Sequence, residues 1–219
     1  MSLAGQLAEG IATLGLAIPE AAQIRFLQYL ALIQKWNKVH NLTAIREPET
    51  MLARHLLDSL AVLPHIAGPR IADVGSGAGL PGIPLAIVRP EWHVVLVESN
   101  HKKAAFLQQA RIELGLENVE VMAERVENID PAQGFDTVIS RAFSDLVDFA
   151  KLAGHLCAQR SEKGSEGGRL VAMKGVYPHE ELEQLPAEFV VEKIIPVTVP
   201  GLKAARHLVM IKHAQVATL

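Results

Sequence analysis

The chain has 219 residues, 49% of them hydrophobic, with a formal net charge of −3 and a single cysteine, Cys157. That size fits one full domain, or a domain with an extension, and the apolar content is ample for a core. The slight acidity excludes a globally basic nucleic-acid wrapper but not a local basic patch, and one cysteine excludes both an intrachain disulfide framework and a cysteine-cluster zinc site.

No Lys or Arg precedes Arg25, so the positive region of a secretory signal is missing. The longest uncharged stretch, residues 74–88, is too short for a membrane span and holds four glycines and two prolines. A reducing cytoplasm is the expected compartment, and no membrane is expected as a partner.

The first 66 residues read as a helical extension. Between Glu20 and Trp36 apolar residues recur at Ile24, Leu27, Leu30, Ala31 and Trp36, a helix period. A second periodic run from about Pro48 to Leu63 carries Met51, Leu52, Leu56, Leu60 and Leu63. The polar-rich segment His40–Ile45 connects them. From residue 67 to 219 the pattern changes to β-rich runs separated by helical ones. The predicted strands are Ile71–Val74, His93–Val97, Val119–Met122, Phe135–Ser140 and Arg169–Met173; the predicted helices span about 82–89, 101–114 and 144–157. In the second helix Ala104, Leu107, Ala110 and Leu114 share a face, and Gly115 supplies the stop. Such alternation predicts a doubly wound parallel sheet covered on both faces. Ser161–Gly168 reads as an exposed low-complexity loop. Phe189–Val199 and His207–Lys212, with Pro200-Gly201 between them, predict a terminal antiparallel hairpin. The expected fold is therefore α/β, Rossmann-like, a seven-stranded mostly parallel sheet with a C-terminal antiparallel hairpin plus the N-terminal helical extension. That arrangement is typical of class I methyltransferases that use S-adenosylmethionine.

The strongest motif is Asp73-Val74-Gly75-Ser76-Gly77-Ala78-Gly79-Leu80-Pro81-Gly82. It follows the first predicted strand and opens a helix, where glycines permit a tight turn and a close approach of ligand to the main chain. Two frames fit. Gly75-x-Gly77-x-Gly79 is the nucleoside loop of S-adenosylmethionine enzymes, and Gly77-x-Gly79-x-x-Gly82 matches the dinucleotide fingerprint. The strand ends near Val74, which favours the first frame. Glu98, ending the second strand, can accept from both hydroxyls of a ribose and serves either cofactor.

Other positions narrow the chemistry. Carbon methylation of cytosine needs a cysteine nucleophile, yet Cys157 sits between Leu156 and Ala158 in a predicted helix and reads as a small buried hydrophobe. An exocyclic amine acceptor commonly goes with an Asn/Asp-Pro-Pro-aromatic turn after the fourth strand; here the residues are Ile139-Ser140-Arg141-Ala142-Phe143. Guanine N7 fits better, because its free lone pair needs no general base and catalysis becomes a matter of alignment. Arg141 stands at the carboxyl edge, placed for a cofactor carboxylate or a phosphate. Phe143 reads as core packing before base stacking.

Asn41-Leu42-Thr43, Arg54-His55-x-x-Asp58-Ser59, the Asp73–Pro84 segment, Ser140–Phe143, Lys174-Gly175 and Arg206–Val209 together resemble the bacterial small-subunit rRNA guanine-N7 methyltransferases, also called the glucose-inhibited division protein B family. The resemblance runs from about Leu27 to Lys212. It implies a cytoplasmic enzyme that moves a methyl group from S-adenosyl-L-methionine to N7 of one guanine of 16S rRNA, as RNA, assembly intermediate or small subunit; a monomer is expected. It also implies cofactor contacts at Gly75, Leu80, Val126, Glu127 and Arg141, joined by the turn residues Asp73, Ser76, Gly77, Gly79 and by Glu98. Arg141 and His55 are the catalytic candidates, and no metal site is expected. His55 either faces the cofactor cleft or packs and caps locally; Arg54 and Asp58, four apart, are placed for an ion pair on one helix face. Asn41 and Thr43 organise the turn between helices. RNA phosphates would be met from Lys35, Lys38, Arg46, Arg54, Arg141, Lys174, Lys203 and Arg206, with Arg54, Lys174, Lys203 and Arg206 as the principal candidates. The competing expectations are an NAD-dependent oxidoreductase, sharing the turn and Glu98, and a non-catalytic nucleoside- or ribosome-binding module.

Overall fold

The computed structural model describes residues 1–141, 143, 145–159 and 167–214. Most of the predicted Ser161–Gly168 loop, together with Ala142 and Ser144, lies outside the described residues.

Helix α1 (Leu3–Thr13) starts on the Ser2 side chain, which accepts from the Gly5 N–H. Helix α2 (Glu20–His40) follows Pro19 and stops at Asn41, whose φ of 48° turns the chain out of the helix. Its buried residues are Ala22, Phe26, Tyr29, Leu30, Leu32, Ile33 and Asn37. Of the residues that carry the predicted period, Leu30 is buried and Leu27 and Trp36 pack on the core, while Ile24 and Ala31 are exposed. The buried stripe centres on Phe26 and Tyr29, the larger apolar bodies. The run after Pro48 is helical in three pieces: α3 (Pro48–Met51), a π-helical stretch Leu52–Leu57, and α4 (Asp58–Leu60). All five apolar residues named for it in the sequence are buried.

The sheet comprises β1 (Arg70–Val74), β2 (His93–Val97), β3 (Val119–Met122), β4 (Thr137–Ser140), β5 (Arg169–Lys174), β6 (Phe189–Pro196) and β7 (His207–His213). Its order is β3-β2-β1-β4-β5-β7-β6. The first five strands in that order are parallel, and β7 is antiparallel to both β5 and β6. Between them run α5 (Gly82–Val88), α6 (His101–Glu113), α7 (Leu146–Ala153) and the short α8 (His179–Glu183). The predicted strand at Phe135 begins instead at Thr137. Phe135 makes an isolated parallel bridge to Cys157. The predicted 144–157 helix is shorter too: α7 gives way to a 3-10 turn at Gly154–Leu156, so Cys157 lies outside it. Its buried role holds, and burial pushes the thiol up to about 12, far from a nucleophilic thiolate at neutral pH.

Successive residues along the strands feed opposite cores. Ile71 and Ile139 join the apolar cluster beneath α2, α5 and α6; Ala72 and Val138 join the one beneath α7. Residues of α1 and α2 share the first cluster with the sheet. One polar tie crosses this layer: the hydroxyl of Tyr29, fully buried, donates to the carbonyl of Ala78 in the glycine turn. Tyr29→Phe should lower stability by about 1–2 kcal/mol, since a buried carbonyl loses its donor. It should also weaken nucleoside binding, read by thermal unfolding and calorimetry. Unchanged affinity would show that the tie does not position the turn.

Candidate active site

In a doubly wound sheet, ligands gather at the carboxyl ends of the strands where the order reverses. Here that point lies between β1 and β4. The Ser140 hydroxyl donates to the Val74 carbonyl at 2.8 Å and pins the two strand ends together.

The turn after β1 rests on β2. The N–H groups of Gly75 and Ser76 both donate to the Val97 carbonyl, at 2.9 and 3.1 Å. Gly75, Gly77 and Gly79 have φ of 69°, 58° and 86°, which side-chain-bearing residues adopt only at a cost. A Cβ on Gly75 would meet nothing within 4 Å, and one on Gly77 only the Gly75 carbonyl at 3.8 Å. The main chain at Gly75 and Gly77 therefore faces open space. Glu98 is buried at its edge, accepting from Gly77 N–H and from Asn100 N–H, both at 2.8 Å. Each of its oxygens keeps a second lone pair for an incoming hydroxyl. Asp73 is fully buried beneath the turn. One oxygen accepts from the Gly82 N–H at 2.8 Å, and the other, Oδ1, has no partner among the described residues. Burial raises its carboxyl to about 7 against the pull of the Gly82 N–H and of Arg141. Ser76 is buried with its hydroxyl on the Asp73 carbonyl, and Leu80 is buried under the turn. Val126 and Glu127 form a 3-10 turn after β3, with Val126 buried and Glu127 exposed.

At the carboxyl ends of β4 and β5 lies a cleft of about 300 Å³, lined by Ile45, Arg54, His55, Asp58, Arg141, Met173, Gly175 and Arg206. It draws on the π-helical stretch, the strand ends and the residue before β7. The expected Arg54–Asp58 ion pair is corrected. Asp58 instead accepts from Arg206 Nε at 2.8 Å and lies 3.8 Å from Arg141 Nη1. The wider π turn breaks the four-residue stacking that an α-helix would have given. Arg141 Nη1 donates to the Arg54 carbonyl at 2.9 Å and sits 3.5 Å from His55 Nδ1. The other ring nitrogen of His55 is 2.9 Å from the Thr43 hydroxyl, which itself accepts from Ile45 N–H. Asn37, buried on α2, accepts from Thr43 N–H and donates to the Ile45 carbonyl. The sequence signal for Asn37 and Tyr29 was faint: each is a polar group on the inward stripe of a helix.

Burial, and then the neighbouring Arg141 charge, lower His55 from 6.5 to about 4, so it is neutral at pH 7. The unfolded chain binds this proton more readily. Stability from His55 is therefore full above about pH 6.5 and is lost as pH falls through 4. His55→Gln should flatten that part of the stability–pH curve. An imidazole titrating near 6.5 in the folded protein by NMR would overturn the assignment.

The remaining candidates separate. Arg54 is exposed and lines both the cleft and a groove of about 950 Å³ that also carries the exposed Lys203. Lys174 is engaged with Glu181 at 2.7 Å. Phe143 packs on Phe149, ring centres 5.3 Å apart, against the α7 core.

Fold and site together define a class I methyltransferase: the strand order, the reversed final hairpin, and a glycine turn open to a nucleoside with a carboxylate at the end of β2. Residues 22–209 match the family described as GidB, rRNA small subunit methyltransferase G. Curated relatives named ribosomal RNA small subunit methyltransferase G are similar over almost the whole chain. That of Nitrosospira multiformis is 74% identical, covering 98% of this chain and 99% of the relative. That of Neisseria meningitidis is 51% identical, covering 94% and 96%. The chain belongs to the rRNA small subunit methyltransferase G family. Among solved structures, the O-methyltransferase TomG of Streptomyces achromogenes, in complex with SAM, superposes with a TM-score of 0.57 at 19% identity over 98% of this chain and all of that one. An Aquifex aeolicus SAM-dependent methyltransferase gives 0.54 at 20% identity, over 81% and 96%. These two share the fold. Among the described residues no helix is long and apolar enough to cross a membrane.

Proposed function

We propose that this chain transfers a methyl group from S-adenosyl-L-methionine to N7 of one guanine in 16S rRNA, acting as a cytoplasmic monomer. One observation carries the reading beyond family membership. The open glycine turn follows β1, and Arg141 of the cleft follows β4, the strand paired with β1, so a nucleoside in the turn and an acceptor in the cleft would adjoin at one carboxyl edge. The residues present suit the cofactor. Gly75 and Gly77 leave room for close main-chain approach, Glu98 has acceptor capacity for ribose hydroxyls, and Asp73 and Ser76 shape the turn. Leu80, Val126 and Glu127 would close around the nucleoside, and Arg141 would meet its carboxylate or a phosphate.

When bound, S-adenosylmethionine supplies a methyl group already activated on a positively charged sulfur. Guanine N7 offers an in-plane lone pair and no proton, so the protein need not provide a base. That suits a cleft whose histidine is neutral and held by Thr43, and whose carboxylate is committed to two arginines. These side chains hold one another in place rather than move protons, which is what an alignment-limited transfer requires. Arg54, Lys203 and Arg206 would guide the phosphate backbone toward this cleft.

The test uses 16S rRNA and small subunits from cells lacking the gene, incubated with enzyme and labelled S-adenosylmethionine. N7-methylguanine is then mapped by borohydride–aniline cleavage. One new cleavage site is expected; its absence from both substrates would refute the proposal.

A further inference from the structure

A concavity of about 420 Å³ lies against α2 and the 41–47 loop, lined by Ala31, Gln34, Lys35, Asn37, Lys38, Arg46 and Met51. Three of these are cations and none is a carboxylate. Lys35 and Lys38 stand three apart on α2 and so project from neighbouring turns of one helix side. Arg46 is brought to them by the loop, which Asn37 holds through its hydrogen bonds to Thr43 N–H and the Ile45 carbonyl. All three cations are exposed, and among the described residues none makes an ion pair or a side-chain hydrogen bond. The partial negative charge at the carboxyl end of α2 offsets only a fraction of three full positive charges. The larger 950 Å³ groove differs: there Arg54 and Lys203 are accompanied by Glu9 and Glu49.

Position ties this concavity to the reaction cleft. Ile45 lines the cleft and Arg46, the next residue, lines the concavity. Asn37, a wall of the concavity, bonds to Thr43, whose hydroxyl is 2.9 Å from His55 in the cleft. We infer that Lys35, Lys38 and Arg46 form a second RNA-phosphate site, which grips the substrate strand on the helical-extension side of the cleft. The occupant is RNA backbone, chosen by charge complementarity: an exposed hollow with cations alone suits phosphates, which carry no base information and set register. This inference rests on the rRNA reading above.

The test compares wild type with Lys35→Gln/Lys38→Gln/Arg46→Gln in the full chain, using an unmethylated 16S rRNA transcript as probe. Filter binding across a salt series should show about a tenfold rise in Kd at moderate salt. The slope of log K against log salt should fall by about 2, as expected for the loss of two or three phosphate contacts. KM for RNA should rise while kcat at saturating RNA and the Kd for S-adenosylmethionine stay unchanged. Lys35→Arg/Lys38→Arg/Arg46→Lys should bind as wild type does. A control, Lys102→Gln/Arg111→Gln/Lys151→Gln, removes the same charge elsewhere and should change the slope little. The inference fails if the first variant binds with wild-type affinity and slope, or if the control loses as much. It fails also if the variant loses affinity only for small subunits and not for the transcript, which would point to a protein surface. The binding arm separates the two readings: a wild type that binds the transcript but methylates neither it nor small subunits sinks the proposed function, while loss of binding in the variant still supports this site.

Discussion

Gly75→Asp should leave the chain folded and lower its affinity for S-adenosylmethionine by about 100-fold or more. Gly75 has φ of 69° and directly follows β1 at the switch point of the sheet. An aspartate can adopt this left-handed conformation at a cost of about 1 kcal/mol, and its Cβ would strike no protein atom within 4 Å. The fold therefore tolerates the change. The open space does not stay open: a carboxylate would fill the approach to the turn and set a second negative charge near Glu98. A 100-fold loss corresponds to about 2.8 kcal/mol, within reach of combined steric exclusion and repulsion. Calorimetric titration with S-adenosylmethionine, together with a thermal melt, reads both halves of the expectation. Wild-type affinity would remove Gly75 from the cofactor site. Gly79→Ala offers the contrast. Its Cβ would lie 2.5 Å from Ile83 Cδ1 and 3.0 Å from Leu107 Cδ2, at φ of 86°, so its loss should be in stability.

Arg141→Ala should reduce kcat/KM by about 100-fold or more, the scale on which misplacement of a reacting group is felt. The guanidinium is held from several sides: by the Arg54 carbonyl, by the nearby His55 ring and by Asp58. It also acts electrically on Asp73 beneath the turn. Removing it loosens the cleft and its link to the cofactor turn at once. Lysine should not restore activity, because its one nitrogen cannot stay on the Arg54 carbonyl and also reach the acceptors that the second terminal nitrogen of a planar guanidinium spans. Asp58 would keep Arg206 at 2.8 Å, so the fold should survive. Steady-state kinetics with both variants, with folding checked by circular dichroism, tests this directly. Unchanged turnover would take Arg141 out of the machinery. Asp58→Ala should be worse for stability than Arg141→Ala, since it leaves two arginines facing each other without a counter-charge.

Much of the fold was legible from local chemistry. Hydrophobic alternation and period located every strand from Ile71 onward, and Gly115, at φ of 62°, stops α6 as expected. The turn was legible for the same reason: three glycines at alternate positions after a strand have few other uses, and each adopts positive φ. The errors fell where several partners compete. The period of α2 holds, with Leu30 buried and Leu27 and Trp36 packed on the core, but Ile24 and Ala31 face out, because the choice between Ile24 and Phe26 belongs to the neighbouring helices. The Phe135 and Cys157 boundaries depended on a bridge between segments 22 residues apart.

For the site, the sequence by itself determined the residue types: a nucleoside turn, a strand-end carboxylate, and an Arg-His-x-x-Asp segment resembling one enzyme family. Only the tertiary structure decided who holds whom. Arg54 and Asp58 looked like partners at α-helical spacing, yet a π-helical stretch and an arginine 148 residues away redirect Asp58 to Arg206. Lys174 is a phosphate candidate by its place at a strand end, and only the fold shows that its ammonium stands 2.7 Å from Glu181. Charge pairing acts through space at a few ångströms, and no local pattern encodes which distant cation arrives first. Backbone turns are set by the residues that make them. Networks of buried charge are set by topology, and that is why the cofactor turn could be read in one dimension and the acceptor cleft could not.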